Sequence, residues 1–149
     1  MGFTQALHKL KNGQVEYDII KQLLSADQEQ AQTMFAEAYK LRQEVFGNKV
    51  YLRGLIEFSN YCSNLCAYCG INASVTSQVR YRLTLDEILE CADTAHSLGY
   101  QTLVLQGGED PYFTGEKFTQ IISAIKDKYP NIAITLSLGV HKRADYQAW

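Results

Sequence analysis

The stretch Val50-Tyr-Leu-Arg-Gly-Leu-Ile-Glu-Phe58, with Ser59-Asn-Tyr-Cys62-Ser-Asn-Leu-Cys66-Ala-Tyr-Cys69 directly after it, decides how the rest of the chain is read. Val50, Leu52, Leu55, Ile56 and Phe58 make an apolar run of strand length, and three cysteines crowd the loop that leaves it. Downstream, Thr84 and Glu87 form a capping box, and Leu85, Ile88, Leu89, Ala92, Ala95 and Leu98 recur at helical spacing until Gly99. A second strand is expected over 102–106, followed by the loop Gln106-Gly107-Gly108-Glu109-Asp110-Pro111. A helix carrying Phe118, Ile121, Ile122 and Ile125 then stops before Pro130. The third strand is Ile132 to Leu138, and a fourth helical stretch opens at Arg143. Strands that read as continuous apolar runs, alternating with helices, predict parallel pairing with right-handed crossovers in a barrel or a doubly wound sheet. The expected class is α/β.

Upstream, the pattern is helical from Tyr17 to Gly47. A helix of about twenty residues is expected to begin at Ser25, with Ser25 and Gln28 as its capping box. Ala31, Met34, Phe35, Ala38, Leu41 and Val45 form one stripe expected to pack into a core, and Gly47 ends the helix. The chain therefore divides into a helical segment, 1–48, and the βα units of 49–149. Three βα units fall short of a closed barrel and leave the last strand with a free edge, so the sequence reads as the N-terminal part of a longer protein.

Composition bounds the function. With 149 residues, 46% hydrophobic and 20% charged, the chain can fill one globular core. Fourteen Lys and Arg stand against sixteen Asp and Glu, and the net charge of -2 gives no basic field for nucleic acid or an anionic membrane surface. A small-molecule partner is expected instead. The apolar runs fall well short of the roughly 18 residues that span a bilayer, and Met1 to Lys11 lacks the features of a secretory signal. The expected location is the cytoplasm.

Cys62, Cys66 and Cys69 form a C-x3-C-x2-C cluster at the C-terminal end of a parallel strand, where functional loops gather. Thiolates this close in sequence suit one metal centre. Three cysteines on a 4Fe-4S cube leave one iron open to an exogenous ligand, which suggests catalysis. Structural zinc is the competing reading, and it needs a fourth ligand from farther away. Cys91 and His96, on the helix after the loop, are expected to be packed or partly buried. The glycine pair at 107 and 108 emerges beside the cysteine loop, where the missing Cβ atoms permit close approach.

Cys62, Cys66 and Cys69, with aromatic Tyr68 before the last cysteine, resemble the cluster motif of the radical S-adenosylmethionine enzymes. The resemblance implies the N-terminal portion of a (β/α)8 TIM-type barrel, preceded by N-terminal helices. It implies a 4Fe-4S cluster on the three cysteines, with S-adenosylmethionine chelating the open iron and being cleaved reductively to a 5'-deoxyadenosyl radical. It further implies that the backbone at Tyr68 lies near the adenine and that Gly107, Gly108 and Glu109 receive the methionyl amino group. Gly47-Asn-Lys-Val50, Leu52-Arg-Gly-Leu-Ile-Glu-Phe-Ser-Asn60, Tyr81-Arg82, Leu105-Gln-Gly-Gly-Glu-Asp-Pro-Tyr112 and Thr135-Leu-Ser-Leu-Gly139 resemble, within that superfamily, the HydE-type maturases of FeFe hydrogenase. That closer likeness implies assembly of the diiron cofactor from an organometallic precursor, other hydrogenase maturation proteins as partners, and Gln106 and Thr135 near the substrate. Methylornithine synthase and biotin synthase are related alternatives, and a non-catalytic metal-binding module is another. Val140 stands where an acidic residue is expected, and the chain alone is expected to bind a cluster without being a competent catalyst.

Overall fold

The computed structural model describes residues 1–149, which divide into two compact units, Met1–Val50 and Tyr51–Trp149. The first unit holds helices α1 (Phe3–Lys11), α2 (Tyr17–Leu24) and α3 (Gln28–Phe46). Its core is Ala6, Ile19 and Leu23, covered by Phe3, Leu7, Leu10 and Met34. Helix α1 has no counterpart in the sequence reading, although Phe3, Leu7 and Leu10 have helical spacing.

Two expectations are corrected in this unit. Helix α3 is capped by Asp27, not Ser25: the Asp27 carboxylate accepts from the Gln30 N–H at 2.9 Å, and the Gln30 side chain accepts from the Asp27 N–H at 3.4 Å. Asp27 and Gln30 repeat the capping pattern two residues later, while Ser25 ends α2 and donates to the Lys21 carbonyl at 2.9 Å. The α3 stripe is not a buried one either, since Phe35, Leu41 and Val45 are 62%, 61% and 63% exposed and only Met34 packs on the unit's core. Helices α1 and α2 close that core against each other and leave room for a single residue of α3.

The second unit runs β1 (Gly54–Glu57), α4 (Leu85–Ser97), β2 (Thr102–Gln106), α5 (Gly115–Lys128), β3 (Ala133–Ser137) and α6 (Arg143–Ala148). The three strands form one parallel sheet in the order β1-β2-β3. Strand β1 is shorter than its apolar run suggests, because pairing begins at Gly54 opposite Leu103, and Val50 and Leu52 lie exposed before it. Thr84 caps α4 as expected, with Glu87 completing the box. The sheet face bearing Ile56, Leu103 and Leu105 is buried with Ile88 and Ala92 of α4 and Phe118, Ile121 and Ile125 of α5. The opposite face carries Leu55, Glu57, Val104, Gln106, Ala133, Thr135 and Ser137, and these are partly or fully exposed. Period-two alternation separates the faces, and in a (β/α)8 fold the face away from the helices is the barrel interior. No helix is long and apolar enough to cross a membrane.

Phe58, just past β1, is 1% exposed and meets Phe113 and Phe118 edge-on at 4.7 and 5.2 Å between ring centroids. Beside it a polar lock joins the loops that leave β1 and β2. The Asp110 side chain, 1% exposed, accepts from the Arg82 Nε and Nη2 groups at 2.8 and 2.9 Å, from the Ser59 hydroxyl at 2.6 Å and from the Tyr112 N–H at 3.1 Å. The Arg82 guanidinium lies 3.9 Å from the Tyr61 ring centroid and 4.9 Å from that of Tyr112. Burial pushes the Asp110 pKa up, but the hydrogen bonds from Arg82, Ser59 and Tyr112 outweigh it and hold the pKa below the usual value. The lock therefore stabilises the fold above the ordinary carboxylate pKa of about 4, and the contribution is lost as pH falls through the lowered native value. Arg82→Ala leaves the buried carboxylate unpaired and should cost about 3 kcal/mol in urea unfolding at pH 7. Asp110→Ala frees a guanidinium that already reaches solvent and should cost about 1–2 kcal/mol. The gap between the two variants should close below about pH 4, where the unpaired carboxylate protonates.

Candidate metal centre

The loop from Ser59 to Leu83 has no regular secondary structure beyond one isolated bridge, Ser59 to Arg82. Two side chains organise it. Buried Asn72 donates to the carbonyls of Cys66 and Cys69 at 3.3 and 2.6 Å, and its own carbonyl oxygen accepts from Ser74. Arg80 donates to the carbonyls of Ile71, Asn72 and Val75 at 2.8, 2.8 and 2.9 Å and also to that of Asn60. One guanidinium thus ties the chain before Cys62 to the chain after Cys69, using the fixed donor fork of arginine. Asn60 reinforces this through bonds to the Val79 carbonyl at 2.8 Å and the Tyr81 N–H at 2.7 Å.

Within this frame Cys62, Cys66 and Cys69 are free thiols, each partly exposed. Cys66 and Cys69 sit on one turn, closed by the Cys69 N–H to the Cys66 carbonyl at 3.0 Å. Cys62 Sγ accepts from the backbone N–H groups of Asn64 at 3.5 Å and Glu109 at 3.4 Å. Three soft thiols on one ordered loop, one already receiving backbone N–H groups, match the donor set and sulfur hydrogen bonding of an iron–sulfur site. No three His, Cys, Asp or Glu side chains converge at the distance that holds a single ion. Tyr68 stands 92% exposed, so only its backbone belongs to the loop's frame.

The glycine loop meets the cysteine loop directly. A Cβ on Gly108 would lie 2.7 Å from Cys62 Cβ, 2.9 Å from the Tyr61 carbonyl and 3.0 Å from Cys62 Sγ. A Cβ on Gly107 would lie 2.5 Å from the Phe58 ring. Neither glycine has a positive φ, so both are required for space and not for conformation. The Ser63 N–H donates to the Glu109 carbonyl at 2.9 Å, and the Glu109 carboxylate accepts from the Val140 N–H at 3.0 and 3.1 Å. Glu109 therefore joins the exits of all three strands. Glu109 also lines a cavity of about 290 Å³ together with Ser63, Gly108, His141, Phe58 and Phe118.

Gln106 and Thr135 share the open sheet face: Gln106 pairs with Ser137 and Thr135 with Val104. Both are exposed, and Gln106 directly precedes the glycine pair that meets the cysteine loop. Cys91 and His96, expected to be packed, are exposed on α4, and His96 stacks on Tyr129 at 4.2 Å. They flank the inner side of α4, which carries Ile88, Ala92 and Ala95: Cys91 borders an open cavity along β1 with Gly54 and Ile56, and His96 faces Tyr129. Asn72, Arg80 and the Arg82–Asp110–Ser59 lock escape the sequence reading. Asn72 falls three residues after the last cysteine, a position from which a short amide can bond nearby backbone. Arg80 has no local signal, because its partners are spread over sixteen residues of loop.

Comparison with known proteins places this geometry. The Radical SAM superfamily pattern matches residues 56–145, more than half of the chain. The [FeFe] hydrogenase maturase subunit HydE of Thermotoga maritima is 37% identical over 146 residues, covering 97% of this chain and 41% of its own length. The 3-methylornithine synthase of Methanosarcina acetivorans is 34% identical over 134 residues, covering 88% of this chain and 38% of its own length. The crystal structure of methylornithine synthase (PylB) superposes with a TM-score of 0.84 at 31% identity, over 96% of this chain and 43% of that one. The chain thus spans about two fifths of the length of these relatives, which are enzymes, and its three-stranded sheet is part of their barrel. By sequence pattern, by identity along nearly its whole length and by fold, the chain belongs to the radical SAM superfamily.

Proposed function

We propose that Cys62, Cys66 and Cys69 hold a 4Fe-4S cluster and that Gly107, Gly108, Glu109 and the Tyr68 backbone bind S-adenosylmethionine beside it. The observation that carries this reading is the meeting of the Cys62 sulfur with the Gly108–Glu109 backbone, where a soft thiol and the glycine loop touch. When bound, the cluster supplies the electron that cleaves the sulfonium reductively. The chain's own residues do the positioning. Arg80 and Asn72 fix the carbonyls of the cysteine loop, so the backbone that carries the thiols loses less entropy on binding iron. The Glu109 N–H donates to Cys62 Sγ, a backbone hydrogen bond of the kind that surrounds the sulfurs of iron–sulfur sites. The Glu109 carboxylate spends one contact on the Val140 N–H and keeps lone pairs for an ammonium group.

At the finer level, the reading best supported is a HydE-type maturase that acts on an organometallic iron precursor in assembly of the FeFe-hydrogenase diiron cofactor. Gln106 and Thr135 would face that substrate, and other maturation proteins would be partners. Likeness to the Thermotoga HydE over 97% of the chain supports it. A methylornithine-synthase-type reaction is the second reading, favoured by the superposition on that enzyme.

Anaerobic reconstitution with iron and sulfide should give about four irons per chain, and the electron paramagnetic resonance of the reduced protein should change on adding S-adenosylmethionine. Zinc bound at one per chain, with no cluster signal, would overturn the reading. Ser in place of any one of Cys62, Cys66 or Cys69 should cut cluster content at least fivefold, whereas Cys91→Ser should leave it unchanged. Arg80→Lys keeps the charge but loses the fork, and it should lower cluster yield and broaden the reduced signal.

A further inference from the structure

A cavity of about 230 Å³ opens where the cysteine loop and glycine loop leave the sheet, lined by Glu57, Ser59, Asn60, Ile71, Tyr81, Gln106 and Gly107. Most of its polar lining is already engaged. Ser59 donates to Asp110 and accepts from the Tyr61 N–H. The Asn60 amide is held by Val79 and Tyr81. The Tyr81 hydroxyl donates to the Glu57 carbonyl at 3.0 Å, and burial, together with the Glu57 carboxylate, raises the phenol's pKa, so this donor keeps its proton. Two groups are left over. The Glu57 carboxylate and the Gln106 carboxamide have no protein partner, and they are opposed residues of the β1–β2 register on the same sheet face. Glu57 is the one charged residue of the lining, and the Arg80 guanidinium lies behind it, occupied by the Asn60 and Ile71 carbonyls.

We infer that this cavity is a subsite for a protonated amine on a small molecule, with Glu57 accepting from the ammonium group and Gln106 fixing a neighbouring polar atom. A charge-assisted bond to a carboxylate is about twice as strong as a neutral one, and Gln106 can serve as donor or acceptor according to the ligand. The cavity adjoins Gly107, whose neighbour Gly108 touches Cys62, so an amine held there stands beside the loops assigned above to the cluster and S-adenosylmethionine. The inference deepens the proposed function and rests on it for the identity of those neighbours. Glu57 is therefore a specificity residue selecting cationic substrates. A neutral or anionic substrate group would leave its carboxylate unpaired or repelled.

The test uses the reconstituted protein and two probes of like size, n-butylammonium and n-butanol, followed by ligand-observed saturation-transfer NMR. Saturable binding is expected for the ammonium and at least tenfold weaker binding for the alcohol. Glu57→Gln should weaken ammonium binding at least tenfold, Glu57→Asp should retain the preference for the ammonium, and Glu116→Gln, on exposed α5, should change nothing. Equal binding of the two probes, undiminished ammonium binding by Glu57→Gln, or no saturable ammonium binding would overturn the inference. The cluster signal recorded on the same samples separates the two readings. An intact signal without Glu57-dependent binding sinks the subsite alone, and Glu57-dependent binding without a signal sinks the cluster reading and leaves the subsite standing.

Discussion

A carboxylate cannot be buried uncompensated, and Asp110 obeys that constraint by drawing three separate pieces of chain around itself. Ser59 comes from the exit of β1, Arg82 from the far end of the cysteine loop, and the Tyr112 N–H from the loop after β2. Each partner satisfies a lone pair that burial has cut off from water. The geometric consequence reaches farther than the energy. With Ser59 and Arg82 held to one carboxylate, both ends of the long cysteine loop are pinned beside the glycine loop, and Cys62 lies against Gly108.

The parallel sheet makes that pinning possible. Because β1 and β2 run the same way in register, their C-terminal ends emerge side by side, and a short polar side chain can bridge them. The alternation that buries Ile56, Leu103 and Leu105 also dictates what the other face carries. Glu57, Gln106 and Ser137 form one row across it, and Leu55, Val104 and Thr135 form the row below. Apolar packing against α4 and α5 therefore sorts the residues available for chemistry onto a single surface, the one that faces the interior of the relatives' barrel.

The βα units were legible because their signals are local and strong. The Thr84 box, the Ile and Phe spacing on α5, and Pro130 each act within a few residues, and each lands where the structure has it. The cysteines and glycines were legible for the same reason, as short motifs at strand ends. The N-terminal unit was less so. Ser25 and Asp27 are both competent caps, and only the end of α2, which needs Ser25, decides between them. The α3 stripe shows that period alone reports amphipathicity and not burial, since a partner must exist before a stripe becomes a core. Arg80 and Asp110 could not be read at all. Their roles depend on which backbone carbonyls and hydroxyls the tertiary fold carries past them, and no spacing in the sequence encodes that.

Val140 illustrates how a departure from expected sequence can leave a site intact. The group that meets the Glu109 carboxylate is the Val140 backbone N–H, which any residue other than proline supplies, while the valine side chain is 86% exposed. What the contact does require is the residue before it. A Cβ at Gly139 would overlap the Glu109 carboxylate itself, so a side chain there would push that carboxylate off the Val140 N–H. An acidic side chain at 140 would add negative charge near Glu109 without adding to this bond. The arrangement thus separates two demands: a backbone group holds the Glu109 side chain in place, and the side chain at 140 takes no part in that contact.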